Sequence, residues 1–143
     1  MPEDFELLVR LHPQIHDNLS FERATNVTDY ENVNELLCAS DILITDYSSI
    51  CMEFSLLQKP MLFFAFDKDY YCGARNFYFD YESYVPGKVV STMEALIQAL
   101  KNDDFETEKQ EKFREKNFDF YDNKSADRLV DFLLNNSEGC DSQ

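Results

Sequence analysis

Glycine is scarce in this chain. Three glycines in 143 residues leave neither a GxGxxG turn nor a P-loop, so any phosphate site must be built without a glycine-rich cradle. Histidine is equally thin: His12 and His16 form no HExxH pair, and the scattered acids form no EF-hand loop, so no metal site is expected. The four cysteines, Cys38, Cys51, Cys72 and Cys140, show no CxxC or CxxH spacing. Cys38 and Cys51 fall within apolar helical patterns, which predicts reduced, buried thiols and a cytoplasmic protein. Positive charge is short as well. Thirteen Lys and Arg face 28 Asp and Glu, a net charge of -15, which argues against a nucleic-acid partner and against simple adsorption to anionic lipid. The apolar runs are too short to span a bilayer, and Met1-Pro2-Glu3-Asp4 does not read as a signal peptide.

What is present suits one α/β domain. At 44% hydrophobic, with 13 Phe and 8 Tyr, a chain of this length can bury roughly 68% of its unfolded surface. The most informative stretch runs from Ala39 to Phe54. Ile42-Leu43-Ile44 is an apolar run without alternation, as expected for a parallel strand covered on both faces. Asp46, Ser48 and Ser49 follow where that strand ends, and a helix with Glu53 one turn in comes next. A helix start at the carboxyl end of a parallel strand suits phosphate. Ser and Asp are also the ordinary capping residues of any helix, so on local chemistry alone the turn reads first as a plain N-cap and second as an anion site.

The rest of the chain alternates in the same way. A first strand is expected over 6–11, ended by His12-Pro13, and a weaker one over 23–27. Thr28-Asp29 is placed to cap a helix over 31–39 with Val33, Leu36 and Leu37 inward. A strand over 41–45, a helix over 48–58, a buried run over 61–66 and a short strand at Val89-Val90 come next. The spacing predicts a helix over 92–101, with Met93, Leu96, Ile97 and Leu100 on its inner face, and further helices over 106–116 and 125–135. Ser125 is the expected cap of the last, which carries Leu129, Val130, Phe132 and Leu133. The acids of the C-terminal third are read as solvated helix faces. The segment 67–87 breaks the alternation. It holds seven Tyr and Phe together with Arg75, and reads either as a surface loop packing its rings on the sheet or as a wall of a cleft.

Several runs, in order, resemble one family: Leu11-His12-Pro13, SDILITDYSS (40–49), KPMLFF (59–64), RNFYFDYESYVPG (75–87) and Tyr121-Asp122-Asn123-Lys124-Ser125-Ala126-Asp127-Arg128. They are similar to the C-terminal half of the CDP-glycerol glycerophosphotransferases, the teichoic-acid polymerases and their glycerol- and ribitol-phosphate relatives. The resemblance runs from about position 5 to about position 135. It implies the donor-binding half of a GT-B type transferase: a Rossmann-like domain over 1–136 with a frayed tail over 137–143. The chain would then be a fragment whose missing N-terminal half carries the acceptor-activating base.

By the same resemblance, His12 supplies a histidine to the donor pyrophosphate, where it would stabilise or protonate the leaving CMP phosphate. Ser48 and Ser49 take the donor phosphates, and Asp46 shapes the turn by accepting backbone N–H bonds. Glu53 stands where the family has an acid suited to ribose hydroxyls; otherwise it is a solvated helix residue. Arg75 either clamps phosphate or pairs with Asp80 or Glu82. Ser125 is a second anion candidate. The family often reads Asp-Gly-Lys-Ala-Ser there, so Asn123 stands in place of the glycine, tolerating a left-handed backbone, and the hydroxyl is shifted. The implied partners are a CDP-activated alditol donor and the missing half of the same enzyme. No cofactor is implied, and membrane contact would come only through the full-length protein, at the inner face of a bacterial membrane. Against this stand another nucleotide-sugar GT-B transferase, a receiver domain and a non-catalytic interaction domain. A receiver needs paired acids after its first strand, where this chain has Arg10-Leu11-His12-Pro13.

Overall fold

The computed structural model describes residues 4–12, 15, 19–68, 70–71 and 79–136. Its elements follow one another as β1 (Leu8–Val9), β2 (Thr25–Asn26), α1 (Val33–Ala39), β3 (Leu43–Thr45), α2 (Ile50–Leu56), β4 (Met61–Phe64), α3 (Tyr81–Tyr84), β5 (Lys88–Val90), α4 (Met93–Lys101), α5 (Lys109–Asn117) and α6 (Ser125–Asn136). Every strand pairing among the described residues is parallel. β1 lies beside β2, with Leu8 opposite Thr25, and β3, β4 and β5 form a three-stranded sheet in that order.

β4 is the strand covered on both faces. Met61, Leu62 and Phe63 are each fully buried, whereas Leu43, Ile44 and Thr45 of β3 are only half-buried. The expectation of a doubly covered strand therefore belongs to β4. β3 pairs with β4 alone, at the border of the three-stranded sheet among the described residues. Alternation along β4 divides the core. Met61 and Phe63 point into a cluster with Phe54 and Cys51 of α2, Leu37 of α1, Tyr81 of α3 and Phe113 of α5. Leu62 points the other way, into Val90 and the α4 residues Leu96, Ala99 and Leu100, with Phe105. Phe5, just ahead of β1, packs on that second cluster beside Ile42 and Ile44, which joins the two-stranded sheet to the three-stranded one. The fold is thus α/β, with helices on both faces of a parallel sheet.

The helix ends show where local chemistry departs from expectation. α1 starts later than predicted, with Asn32 and not Thr28-Asp29 as its N-cap; the Asn32 carboxamide oxygen accepts the Asn34 N–H. Its last carbonyls are met by Lys59, whose ammonium donates to Cys38 and Ser40 at 2.7 Å each, a cation placed at a helix C-terminus. Thr92 caps α4 as its spacing suggests, accepting from Ala95 N–H. The buried stripe of α4 runs through Leu96, Ala99 and Leu100, while Met93, in the first turn, is exposed. Cys51 is buried, but Cys38 is exposed on the outer side of α1, contrary to its expected burial. Ser125 is the first residue of α6 and not the residue before it. Asn123 stays outside the left-handed region, since the positive-φ residues other than glycine, among those described, are Gln58, Asp103 and Glu106. Asn123 therefore does not stand in conformationally for a glycine.

Candidate functional site

β3 ends at Thr45 and α2 begins at Ile50. Asp46 to Ser49 is thus the step from the carboxyl end of a parallel strand to a helix start, the place where open α/β sheets collect ligands. Short polar side chains there bond to their own backbone and end the strand. Ser48 Oγ accepts the Ile50 N–H at 3.4 Å. Ser49 occupies the N-cap position with a backbone that is already helical, and its hydroxyl makes no capping bond. The two serines thereby divide: one shapes the turn, and the other presents an exposed hydroxyl beside it.

An aromatic brace holds this turn from behind. The Tyr81 hydroxyl donates to the Asp46 carbonyl at 2.8 Å. Tyr47 stacks on Tyr71 with ring centroids 3.9 Å apart, meets Tyr81 at 5.3 Å, and donates its hydroxyl to Asp67 at 2.9 Å. Burial, reinforced by Tyr47, Cys51, Asp46 and Tyr71, pushes the Tyr81 phenol far above the ordinary tyrosine range, so it stays a neutral donor at any physiological pH. The bond shown at Asp46 is made by its carbonyl, whereas the expected role was carboxylate acceptance of backbone N–H groups. Tyr47, Asp67 and Tyr81 were not singled out by motif. Tyr47 lies inside the run 40–49, and the aromatic density of 67–87 was the one signal for Tyr81; of the described part of that segment, Tyr81 and Val85 are packed into the core while Tyr70 and Phe79 are exposed.

The remaining candidates fall in different places. Glu53 is exposed on α2, four residues after Ser49 and so on the same helix face. His12 is exposed beyond the carboxyl end of β1; its carbonyl accepts the Ile15 N–H at 2.8 Å, and the neighbouring Leu11 N–H is held by Thr28 Oγ1 at 3.1 Å. Arg75 and His16 lie outside the described residues, as do Cys72, Cys140 and the tail over 137–143. A cavity of about 270 Å³ opens at the carboxyl ends of β4 and β5, lined by Ala65, Phe66, Lys68, Glu82, Val89 and Ser91. Ser125 is not part of this edge. It lines a larger cavity of about 650 Å³ together with Leu56 and Gln58, at the far end of α2 from Ser49. Asp122, one turn before it, is forked by the Arg128 guanidinium at 2.9 and 3.1 Å. Those bonds, then the Lys124 N–H, hold its carboxyl below the usual range.

A parallel sheet sandwiched by helices, with a hydroxyl-bearing turn at its carboxyl edge, defines a Rossmann-like half of the GT-B transferase type. Comparison with known proteins makes the assignment specific. The chain belongs to the CDP-glycerol:poly(glycerophosphate) glycerophosphotransferase family, whose signature matches residues 1–135. It is 41% identical over 133 residues to the teichoic acid ribitol-phosphate polymerase TarK of Staphylococcus aureus (strain NCTC 8325 / PS 47), covering 90% of this chain and 26% of that protein. It is 35% identical over 138 residues to the teichoic acid glycerol-phosphate primase of Bacillus subtilis (strain 168), covering 94% of this chain and 36% of the primase. Among solved structures, the wall teichoic acid polymerase TagF superposes with a TM-score of 0.74 at 34% identity, over 94% of this chain and 35% of TagF. The chain therefore spans about a quarter to a third of the length of these relatives.

Proposed function

We propose that this chain is the donor-binding part of a transferase that moves alditol phosphate from a CDP-activated alditol, CDP-glycerol or CDP-ribitol, to a growing teichoic-acid-like polymer and releases CMP. The observation that carries the reading is the braced turn of Asp46 to Ser49 at the carboxyl edge of the sheet, in a chain of this family. In the transfer, an acceptor hydroxyl attacks the alditol-bearing phosphorus, the bond to the bridging oxygen of the pyrophosphate breaks, and CMP leaves with that oxygen. Catalysis of such a step is mostly positioning and stabilisation of charge. The Ser49 hydroxyl donates to a donor phosphate oxygen, and Ser48, once turned from its backbone bond, offers a second donor. His12 faces the charge that develops on the leaving CMP phosphate and supplies an N–H to it. Glu53, one turn beyond Ser49, accepts from the ribose diol as acidic residues do in other Rossmann-like sites. Ser125, set at the other end of α2, takes no part in this assignment. The base that activates the acceptor, and the acceptor itself, belong to the portion of the relatives outside this chain, and that portion would bring the enzyme to the inner face of a bacterial membrane.

The reading is tested by NMR titration of the labelled chain with CDP-glycerol, using CMP and ADP-ribose as controls. Shifts centred on His12, Ser48, Ser49 and Glu53 and selective for the cytidine ligands are expected, and Ser49→Ala should weaken binding by about tenfold, the loss of one hydrogen bond to a charged group. Silence at those residues in a folded sample, or unchanged affinity in Ser49→Ala, would overturn it.

A further inference from the structure

The cavity of about 270 Å³ at the carboxyl ends of β4 and β5 has no part in the assignment of the donor phosphates. Its two charged residues, Lys68 and Glu82, pair with each other, so its lining carries no net charge. Each of them adjoins a residue that holds the Asp46–Ser49 turn. Asp67, next to Lys68, accepts the Tyr47 hydroxyl at 2.9 Å. Tyr81, next to Glu82, donates to the Asp46 carbonyl at 2.8 Å. The brace that fixes the turn therefore fixes two walls of the cavity as well. β5 supplies a third with Val89, followed by the exposed Ser91, and Phe66 adds a largely exposed ring. An ion pair with partly exposed side chains adds little to stability, so the fold alone has small need of this one.

Position and chemistry define the occupant. The strand order is β3-β4-β5 and neighbouring strands lie about 4.8 Å apart, so a point between the ends of β4 and β5 lies about 7 Å from the end of β3. That is the reach of a short polyol whose phosphate rests on the turn. β1 and His12 approach from the β3 border, where Phe5 packs with Ile42 and Ile44, so the CMP side of the donor and the cavity flank the turn. A neutral lining does not draw in a second phosphate. Its groups match hydroxyls instead. The Lys68 ammonium only donates, the Glu82 carboxylate only accepts, and the Ser91 hydroxyl does both. An alditol offers the complementary set of hydroxyls, with C–H edges for the Phe66 ring. Size agrees, because the volume falls just under the roughly 300–1,000 Å³ of pockets that enclose drug-sized ligands.

We propose that this cavity is an alditol subsite, in which Lys68 and Glu82 read the hydroxyls of a glycerol or ribitol unit whose phosphate lies on the Asp46–Ser49 turn. The inference rests on the donor reading of that turn and adds to it the residues that select the alditol. The unit belongs to the donor or to the end of the acceptor, and both present the same hydroxyls. The test follows the amides of Phe66, Lys68, Glu82, Val89 and Ser91 by NMR in the labelled chain. CDP should shift Ser48 and Ser49 and leave the cavity amides in place. An alditol should shift the cavity amides too, either as CDP-glycerol or CDP-ribitol, or as glycerol 3-phosphate or ribitol 5-phosphate added to the CMP-saturated chain. The first arm identifies the donor as the source, the second the acceptor. Lys68→Met and Glu82→Gln should each weaken that alditol ligand about tenfold, the loss of one hydrogen bond to a charged group, and narrow the difference between the glycerol and ribitol forms. Affinity for CDP, which has no alditol, should stay at the parental value. Cavity amides silent in both arms while CDP moves Ser48 and Ser49, or alditol affinities indifferent to both variants, would overturn the subsite and leave the donor reading standing. Failure of CDP to move Ser48 and Ser49 would bring down the donor reading, and the subsite with it.

Discussion

The hydroxyl of Tyr81, 2.8 Å from the Asp46 carbonyl, links the aromatic segment to the turn that carries Ser48 and Ser49. Its residue is 8% exposed, so removing the oxygen leaves a carbonyl short of a partner in a place where water has little access. Tyr81→Phe should cost about 1–3 kcal/mol in urea unfolding and speed amide exchange at Ser48 and Ser49; unchanged exchange there would mean that the turn is held by its own backbone bonds. The same residue sets an alkaline limit. A group whose folded pKa is raised contributes stability that is complete below its unfolded value and is lost as pH rises above it. Burial pushes the Cys51 thiol from 9.0 up to about 11, and Tyr81 titrates above its ordinary 10.0. The urea midpoint should therefore fall from pH 9 upward, with Cys51→Ala flattening the first part of the decline and Tyr81→Phe the part above pH 10. Parallel curves for all three proteins would assign the decline to other groups.

Elements end in this chain without the residue that usually ends them. Gln58, after α2, adopts φ 56° and Asp103, after α4, φ 50°, the left-handed conformation that glycine takes at helix C-termini. The scarcity of glycine that excludes a phosphate cradle also leaves these caps strained. Gln58→Gly should raise stability by about 0.5–1 kcal/mol, the left-handed penalty less the added freedom of the unfolded chain. Gly87 shows the reverse. A Cβ there would lie 2.5 Å from the Met61 carbonyl oxygen, and backbone of the central strand cannot step aside, so Gly87→Ala should destabilise by about 1–3 kcal/mol. Chemical denaturation of the two variants checks both signs. These conformations also mark how far sequence reading reaches. Alternating apolar runs and helical stripes are local, and they located every strand and helix from β1 to α6 outside 67–87 to within a few residues. α3 went unread because Asp80 caps a helix of only four residues, too short for a periodicity. Leu43 and Ile44 read as fully buried because apolarity reports the wish for cover, whereas cover depends on which strand has neighbours on both sides. The polar turn was legible because Asp46, Ser48 and Ser49 fall within four consecutive residues. Its brace was not, since Tyr81 meets Asp46 across 35 residues and no local pattern encodes that contact.

At the scale of the whole molecule, net charge outweighs individual ion pairs. The side-chain pairs Lys68–Glu82, Lys88–Asp104, Lys109–Glu106 and Arg128–Asp122 all lie at the surface with partly exposed side chains, where such pairs are worth about 0–1 kcal/mol each. Against them stands a charge of -15, with Asp103, Asp104, Glu108, Glu111, Glu115, Asp119, Asp122, Asp127 and Asp131 exposed over the last third of the described chain. Self-repulsion of this size opposes the compact state. Salt then acts in opposite directions on the two terms, because it weakens the few attractions and the many repulsions alike. Raising sodium chloride from about 0.1 M to about 1 M shortens the screening length from ~10 Å to ~3 Å, which removes most of the long-range repulsion while sparing little of the pairing. The melting temperature should rise by about 2–6 °C, the equivalent of roughly 1 kcal/mol in a domain of this size. A fall on adding salt would mean that the pairs, Arg128–Asp122 foremost, hold the fold against its charge. Lys and Arg introduced along α6 should reproduce part of the gain at low salt, since they would neutralise the exposed Asp127 and Asp131 there.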